Sequence, residues 1–155
     1  MQIQVISVGQ KMPEWVDTAC DEYIGRMPRE LPVKIASLNL AQRSSQSIET
    51  IKNQESKNIQ AKCIKPGFRL ALDEKGKSWT SQQWAQKLDY WMMEYPAVNI
   101  IIGGPDGLAD VCKSSCDEII SLGSMTMPHA LVRVVIAEQL YRAWTILKGH
   151  PYHRD

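Results

Sequence analysis

The stretch V-N-I-I-I-G-G-P-D-G, residues 98–107, decides the fold class. Val98 to Ile102 is the most apolar strand pattern in the chain. A near-continuous apolar run suits a strand buried on both faces, as in a parallel sheet. Outward from it, strand and helix patterns alternate. Residues 2–8 (Q-I-Q-V-I-S-V) read as a strand rich in β-branched residues. Pro13 then opens a helix whose apolar positions, Trp15, Val16, Ala19, Cys20, Tyr23, Ile24 and Met27, recur at steps of three and four. Residues 33–38 read as a second strand, and 46–62 as a polar, weakly amphipathic helix carrying Ile48, Ile51 and Ile59. A third strand, F-R-L-A-L-D at 68–73, is expected to end in the turn Glu74-Lys75-Gly76-Lys77. Thr80 and Gln83 form a capping box for a helix that Pro96 stops. On the C-terminal side come a short helix from Leu108 to about Cys116, a brief strand at 118–121, an irregular segment at 122–128, and a last helix from His129 to about Leu147. This alternation predicts an α/β fold, a mostly parallel sheet with flanking helices, in a single domain over residues 1–155.

The 155 residues are 44% apolar and 23% charged, which excludes a disordered chain, a collagen-like chain and a coiled coil. Eighteen basic against seventeen acidic residues leave a formal charge of +1. A free-standing nucleic-acid binder usually carries a larger basic excess, because phosphate neutralisation supplies its sequence-independent affinity. No run of 18 apolar residues exists to span a membrane. The N-terminus lacks the basic region and small-residue cleavage site of a secretion signal. Cys20, Cys63, Cys112 and Cys116 are scattered without paired disulfide spacing, so a cytoplasmic, reducing location is expected.

Four segments carry candidate chemistry. Glycines 103, 104 and 107 follow the buried strand, where the backbone approaches ligands at the carboxyl edge of α/β sheets. The spacing is neither G-x-G-x-x-G nor a Walker loop, which argues against NAD and ATP. The plainer reading is a tight turn with Pro105 at its second position. The segment L-G-S-M-T-M-P, 122–128, offers backbone donors, two hydroxyls and two methionines. It suits a pocket for a flat, partly apolar ligand such as an adenosyl group, or an ordinary loop that buries Met125 and Met127. In the last helix Arg133, Glu138 and Arg142 stand among apolar residues on more than one face. Glu138 and Arg142 have the spacing of an intrahelical salt bridge, and the second apolar face points to a dimer interface. The tail G-H-P-Y-H-R-D, 149–155, crowds two histidines, a tyrosine and an arginine. Two histidines on a chain end make a poor metal site, and a tail docking over a polyanionic or aromatic substrate accounts better for the combination. Cys112 and Cys116 read as packing residues, and no metal is expected.

These motifs coincide in one family. The chain resembles the RlmH (YbeA-type) branch of the SPOUT methyltransferases. The resemblance rests on V-G with K-M-P-E-W near the N-terminus, L-D-E-K-G-K at 72–77, I-G-G-P-D-G-L at 102–108 and M-T-M-P-H at 125–129. It continues through L-V-R-V-V-I-A-E-Q-L-Y-R-A-W at 131–144 to H-P-Y-H-R at 150–154, and so spans the whole chain. It implies a sheet whose C-terminal part is threaded as a trefoil knot, a homodimer, and S-adenosyl-L-methionine bound at the knot. Carried over by motif, Leu72, Gly103, Leu122, Gly123, Ser124, Met125, Thr126 and Met127 are the expected cofactor-binding residues. The implied reaction is methylation of N3 of a pseudouridine in 23S ribosomal RNA, on the assembled ribosome.

In that reaction the expected catalytic residues are His153, Tyr152, Arg154, Arg142 and Glu138. His153 is placed to accept the N3 proton or stack on the base, Tyr152 to stack, and Arg154 to hold a phosphate or a base carbonyl. Glu138 and Arg142 organise the site from the helix. A charge of only +1 requires a localised basic patch, for which Arg133, Arg142, Arg154 and the tail histidines are the candidates. The alternatives are a ribosome-associated protein that binds S-adenosylmethionine as a sensor, and a nucleotide-dependent oxidoreductase. The missing dinucleotide fingerprint disfavours the second.

Overall fold

A computed structural model describes residues 1–9, 11–42 and 46–154. Its strands are β1 (Gln2–Val8), β2 (Val33–Leu38), β3 (Phe68–Ser78), β4 (Ala97–Ile102) and β5 (Glu118–Ser121). Its helices are α1 (Glu14–Ile24), α2 (Ile48–Lys62), α3 (Ser81–Glu94), α4 (Asp110–Ser114) and α5 (His129–Leu147). The strands form one parallel sheet in the order β2-β1-β4-β3-β5. The most apolar strand, β4, lies at its centre with all six residues buried.

The two-residue period of a strand divides the core between the two faces of the sheet. Ile3, Val5, Leu70, Val98 and Ile100 meet Trp84, Leu88 and Trp91 of α3 and Ile136 and Leu140 of α5. Ile6, Val8, Ala71 and Ile101 meet Ile59 of α2 together with Leu108 and Cys112. Asn99 is the polar exception within β4. Its amide accepts from the Ile64 N–H at 2.9 Å and donates to the carbonyls of Ile64 at 3.0 Å and Phe68 at 3.3 Å. A buried amide satisfied in this way ties the end of α2 and the start of β3 to the central strand.

Local chemistry sets the helix ends. Ser47 caps α2, its Oγ accepting from the Thr50 N–H, so that helix starts at Ile48 rather than at 46. Thr80 and Gln83 form the reciprocal capping box of α3. Helix α4 is shorter than the expected 108–116, because Ala109 is extended and buried and the helix begins only at Asp110.

The larger difference lies in β3, which does not turn back after Asp73. Leu72 and Lys77 both pair opposite Ile120 of β5, so residues 73–76 loop out of register and the strand then resumes. Glycine at 76 permits this, since a Cβ there would lie 2.6–2.7 Å from the Ile120 backbone. The composition E-K-G-K reads as a turn, and pairing with a strand much later in the chain overrides it.

Helix α5 packs on both α1 and α3. Ala137 meets Val16 and Cys20, while Ile136, Leu140 and Ala143 join the main core. Much of its two-sided burial is therefore internal to one chain. Leu131, Val134, Val135 and Trp144 nevertheless keep part of their surface in solvent.

Candidate active site

Parallel α/β sheets bind ligands beyond the carboxyl ends of their strands. There, past β3, β4 and β5, lies a cavity of about 730 Å³. It is lined by Leu72, by Gly103 and by the consecutive residues Leu122, Gly123, Ser124, Met125, Thr126 and Met127. The fold thus brings together three segments that are well separated in the chain. Ile102, Leu108 and Val132 add apolar wall.

The glycine turn closes through the Gly107 N–H donating to the Gly104 carbonyl at 3.0 Å, with Pro105 and Asp106 between them. Gly107 adopts φ +82°, a region that favours glycine. A Cβ on Gly103 would lie 2.9 Å from the Gly107 backbone and 3.0 Å from the Leu108 side chain. One on Gly104 would lie 3.1 Å from a carboxylate oxygen of Glu55. Glu55 is a buried residue of α2 whose Oε2 accepts from the Ala41 N–H at 3.2 Å. Sequence reading missed this support, because α2 carries too weak an apolar stripe to say which polar residue turns inward.

Ser121 shapes the start of the second loop, its Oγ accepting from the Gly123 N–H at 3.2 Å and donating to the Gly123 carbonyl at 2.8 Å. Met127 is half-buried, whereas Met125 is 81% exposed, which corrects the reading that would bury both methionines.

The tail forms a second cluster, against α5. Glu138 Oε1 accepts from Arg142 Nε at 2.9 Å and from the Tyr152 hydroxyl at 3.0 Å. Burial, then the bond to Glu138, pushes the Tyr152 phenol up to about 12, so it is a neutral donor. Its ring packs edge-on to Tyr141 at 4.7 Å, and the Arg142 guanidinium lies 5.3 Å from its centroid. His153 Nδ1 stands 3.2 Å from Thr145 Oγ1, and that hydroxyl donates to the Arg142 carbonyl at 2.7 Å. The hydroxyl proton being used, Nδ1 carries the hydrogen and Nε2 is left as the basic nitrogen of the ring. Arg154 is exposed, and Asp155 lies outside the described residues. None of the described tail residues, nor Glu138 or Arg142, lines the 730 Å³ cavity. Within one chain, the two sets of candidate residues do not meet.

Arg133 is a correction. It does not belong to a surface patch but is buried, donating to Ser7 Oγ at 2.9 Å, to Ser37 Oγ at 3.0 Å and to the Gly9 carbonyl. Ser7 in turn bonds His129 Nε2 at 3.0 Å. Burial, then the charge of Arg133, holds His129 below its ordinary value, against a weaker opposing bond to the Val8 backbone. The unfolded chain therefore takes up this proton first, as pH falls through about 6.5, while the folded protein resists. Stability is full above that pH and declines from there down to the lowered folded value. Urea midpoints at pH 7.5 and 5.5 are expected to differ less in His129→Asn than in the parent protein.

Cys112 is buried in the second core cluster, and Cys116 Sγ donates to the Cys112 carbonyl at 3.3 Å. Among the described residues, no three His, Cys, Asp or Glu side chains group as a metal site. None of the described helices is long and apolar enough to cross a membrane.

A parallel sheet carrying a glycine turn and an irregular loop over one cavity agrees with what family comparison returns. The family model described as "Predicted SPOUT methyltransferase" matches residues 1–153, and the chain belongs to the SPOUT methyltransferase family. More particularly, it is 41% identical to Ribosomal RNA large subunit methyltransferase H of Methylibium petroleiphilum, over the full length of both chains. With the proteins of the same name from Hahella chejuensis and Delftia acidovorans the identities are 43% and 44%, again with both chains fully covered.

Proposed function

We propose that this methyltransferase transfers a methyl group from S-adenosyl-L-methionine to N3 of a pseudouridine in 23S ribosomal RNA. It acts on the assembled ribosome, in the cytoplasm, as a homodimer of one-domain protomers with the knotted C-terminal threading of the family. The observation that carries this reading is the convergence of all eight motif-matched residues on one cavity. That cavity fits an adenosyl group. Gly103 and Gly104 let the turn pack tightly on Leu108 and Glu55 at the cavity's edge, Leu72, Leu108 and Leu122 supply apolar wall, and the loop at 122–127 supplies backbone donors and acceptors.

When bound, the cofactor supplies an electrophilic sulfonium methyl. The residues of the chain then have to align the base and remove its N3 proton. His153 Nε2 takes that proton, with Nδ1 anchored on Thr145 to fix the ring. Glu138 acts as a positioning residue that holds Tyr152 and Arg142 beneath the tail. Arg154, exposed at the end, is free to reach a phosphate. Dimerisation is supported by the separation of tail and cavity in one chain, and by the half-exposed apolar residues Leu131, Val134, Val135 and Trp144 along α5.

The test is transfer from labelled S-adenosylmethionine to ribosomes purified from cells lacking the protein, followed by nucleoside mass spectrometry. Label in a methylpseudouridine is the expected result, and cofactor binding with no labelled ribosomal nucleoside would overturn the assignment. S-adenosylhomocysteine at a hundred times its dissociation constant is expected to stabilise the fold by about 2.7 kcal/mol, and NAD not at all. Thermal melts with each ligand read that difference.

A further inference from the structure

RNA affinity in this protein needs a local source, because the net charge is only +1. Arg133 is buried and Arg142 is tied to Glu138, which removes two of the cations nearest the tail. Further lysines stand elsewhere, on and beside the looped-out part of β3, interspersed with Asp73 and Glu74. There a cleft of about 860 Å³ adjoins the cofactor cavity and shares Asp73, Lys75 and Lys113 with it. Lys113 is paired with Asp73 at 3.9 Å and Asp110 at 3.5 Å, and Lys87 with Glu118. These pairs engage Asp73, Asp110 and Glu118, while Glu74 is exposed on the same loop. Lys75 and Lys77, both exposed, make no ion pair among the described residues, and they owe their place to the loop-out that Gly76 permits.

The cleft continues into an aromatic one. Trp79 and Lys87 line it and also line a neighbouring cavity of about 380 Å³ that ends at Tyr90. The Lys87 ammonium lies 5.2 Å from the centroid of the Trp79 ring, and Tyr90 is 44% exposed. Trp79 is held edge-on against Trp84, so its ring is fixed before any ligand arrives. Lysines for phosphates, alternating with fixed aromatic rings for bases, are the elements of a single-stranded RNA groove. A peptide ligand would not need both.

We propose that the β3 loop-out and the adjoining edge of α3 form a single-stranded RNA track that leads into the methyl-donor cavity. Lys75 and Lys77 contact phosphates, and Trp79 and Tyr90 stack on bases flanking the target. The assignment rests on the reading that RNA is the acceptor, and it names where that RNA runs.

The test separates KM from kcat, with ribosomes lacking the modification as substrate. Lys77→Glu and Tyr90→Ala are each expected to raise KM for ribosomes about tenfold, leaving kcat and the affinity for S-adenosylhomocysteine unchanged. Tyr90→Phe, which keeps the ring, is expected to retain the parent KM. Lys77→Ala should lower the slope of log KM against log salt by about one. KM values within twofold of the parent overturn the track. Should the parent protein methylate no ribosomal nucleoside, the acceptor assignment fails separately, and ultraviolet crosslinking to the same ribosomes still reads the surface. RNA attached to peptides containing Trp79 or Tyr90 upholds the track, and crosslinks confined to other peptides or to ribosomal proteins overturn it.

Discussion

Arg133→Ala is expected to destabilise the protein by about 3 kcal/mol, a large share of the roughly 5–15 kcal/mol typical of a domain. The guanidinium spans three acceptors, Ser7 Oγ, Ser37 Oγ and the Gly9 carbonyl, which lie 96 to 126 residues earlier in the chain. It is the polar pin between α5 and the carboxyl ends of β1 and β2. Removing it leaves the half-buried Gly9 carbonyl and the buried Ser7 hydroxyl without their donor, and a cavity where a long side chain lay. Lysine keeps the charge but not the fork, so Arg133→Lys should recover only part of the loss. Denaturant midpoints measure both variants. The salt dependence of ribosome binding should be the same in Arg133→Ala, measured where it is still folded, as in the parent protein. A shallower slope in that variant would return Arg133 to the RNA contact surface.

How much of this could be read from the chain depends on the range of the interaction concerned. The strand at 98–102 is legible because burial on both faces is written in consecutive side chains. The capping box of α3 is legible because its partners are three residues apart. Three features were not legible, each for a physical reason. The loop-out in β3 depends on a close approach to Ile120, which no local pattern encodes. A lone arginine in an apolar helix looks the same whether it reaches solvent or a distant set of acceptors, so periodicity could not place Arg133. The carboxylate of Glu55 behind Gly104 sits on a helix whose polar residues all look alike to a moment argument. The eight cavity residues lie between those extremes. Spacing alone left the glycine turn and the methionine loop as separate, ambiguous segments. Resemblance joined them with Leu72, and the sheet order explains why they meet, since β3, β4 and β5 carry them to one edge.

His153→Ala is expected to slow single-turnover methyl transfer by about 10²–10⁴-fold, the range lost with a general base, while S-adenosylhomocysteine binds unchanged. Unchanged binding follows from geometry, because His153 does not line the cofactor cavity. The same separation yields a sharper result in mixed dimers. A cavity-disrupted protomer, Gly103→Trp, whose side chain collides with the Gly107 backbone and Leu108, keeps its tail, and the His153→Ala protomer keeps its cavity; neither homodimer should transfer methyl. If the tail of one protomer serves the cavity of the other, each mixed dimer regains one complete site. Random exchange makes half of the dimers mixed, so activity should return to about a quarter of the parent value. If tail and cavity of the same chain served each other, every protomer in the mixture would carry one defect and activity would stay at the background of the two homodimers. Recovery on mixing therefore distinguishes a site shared between protomers from one closed by its own tail. It does so without requiring either variant to be more than folded and dimeric, which thermal melts and sedimentation establish beforehand.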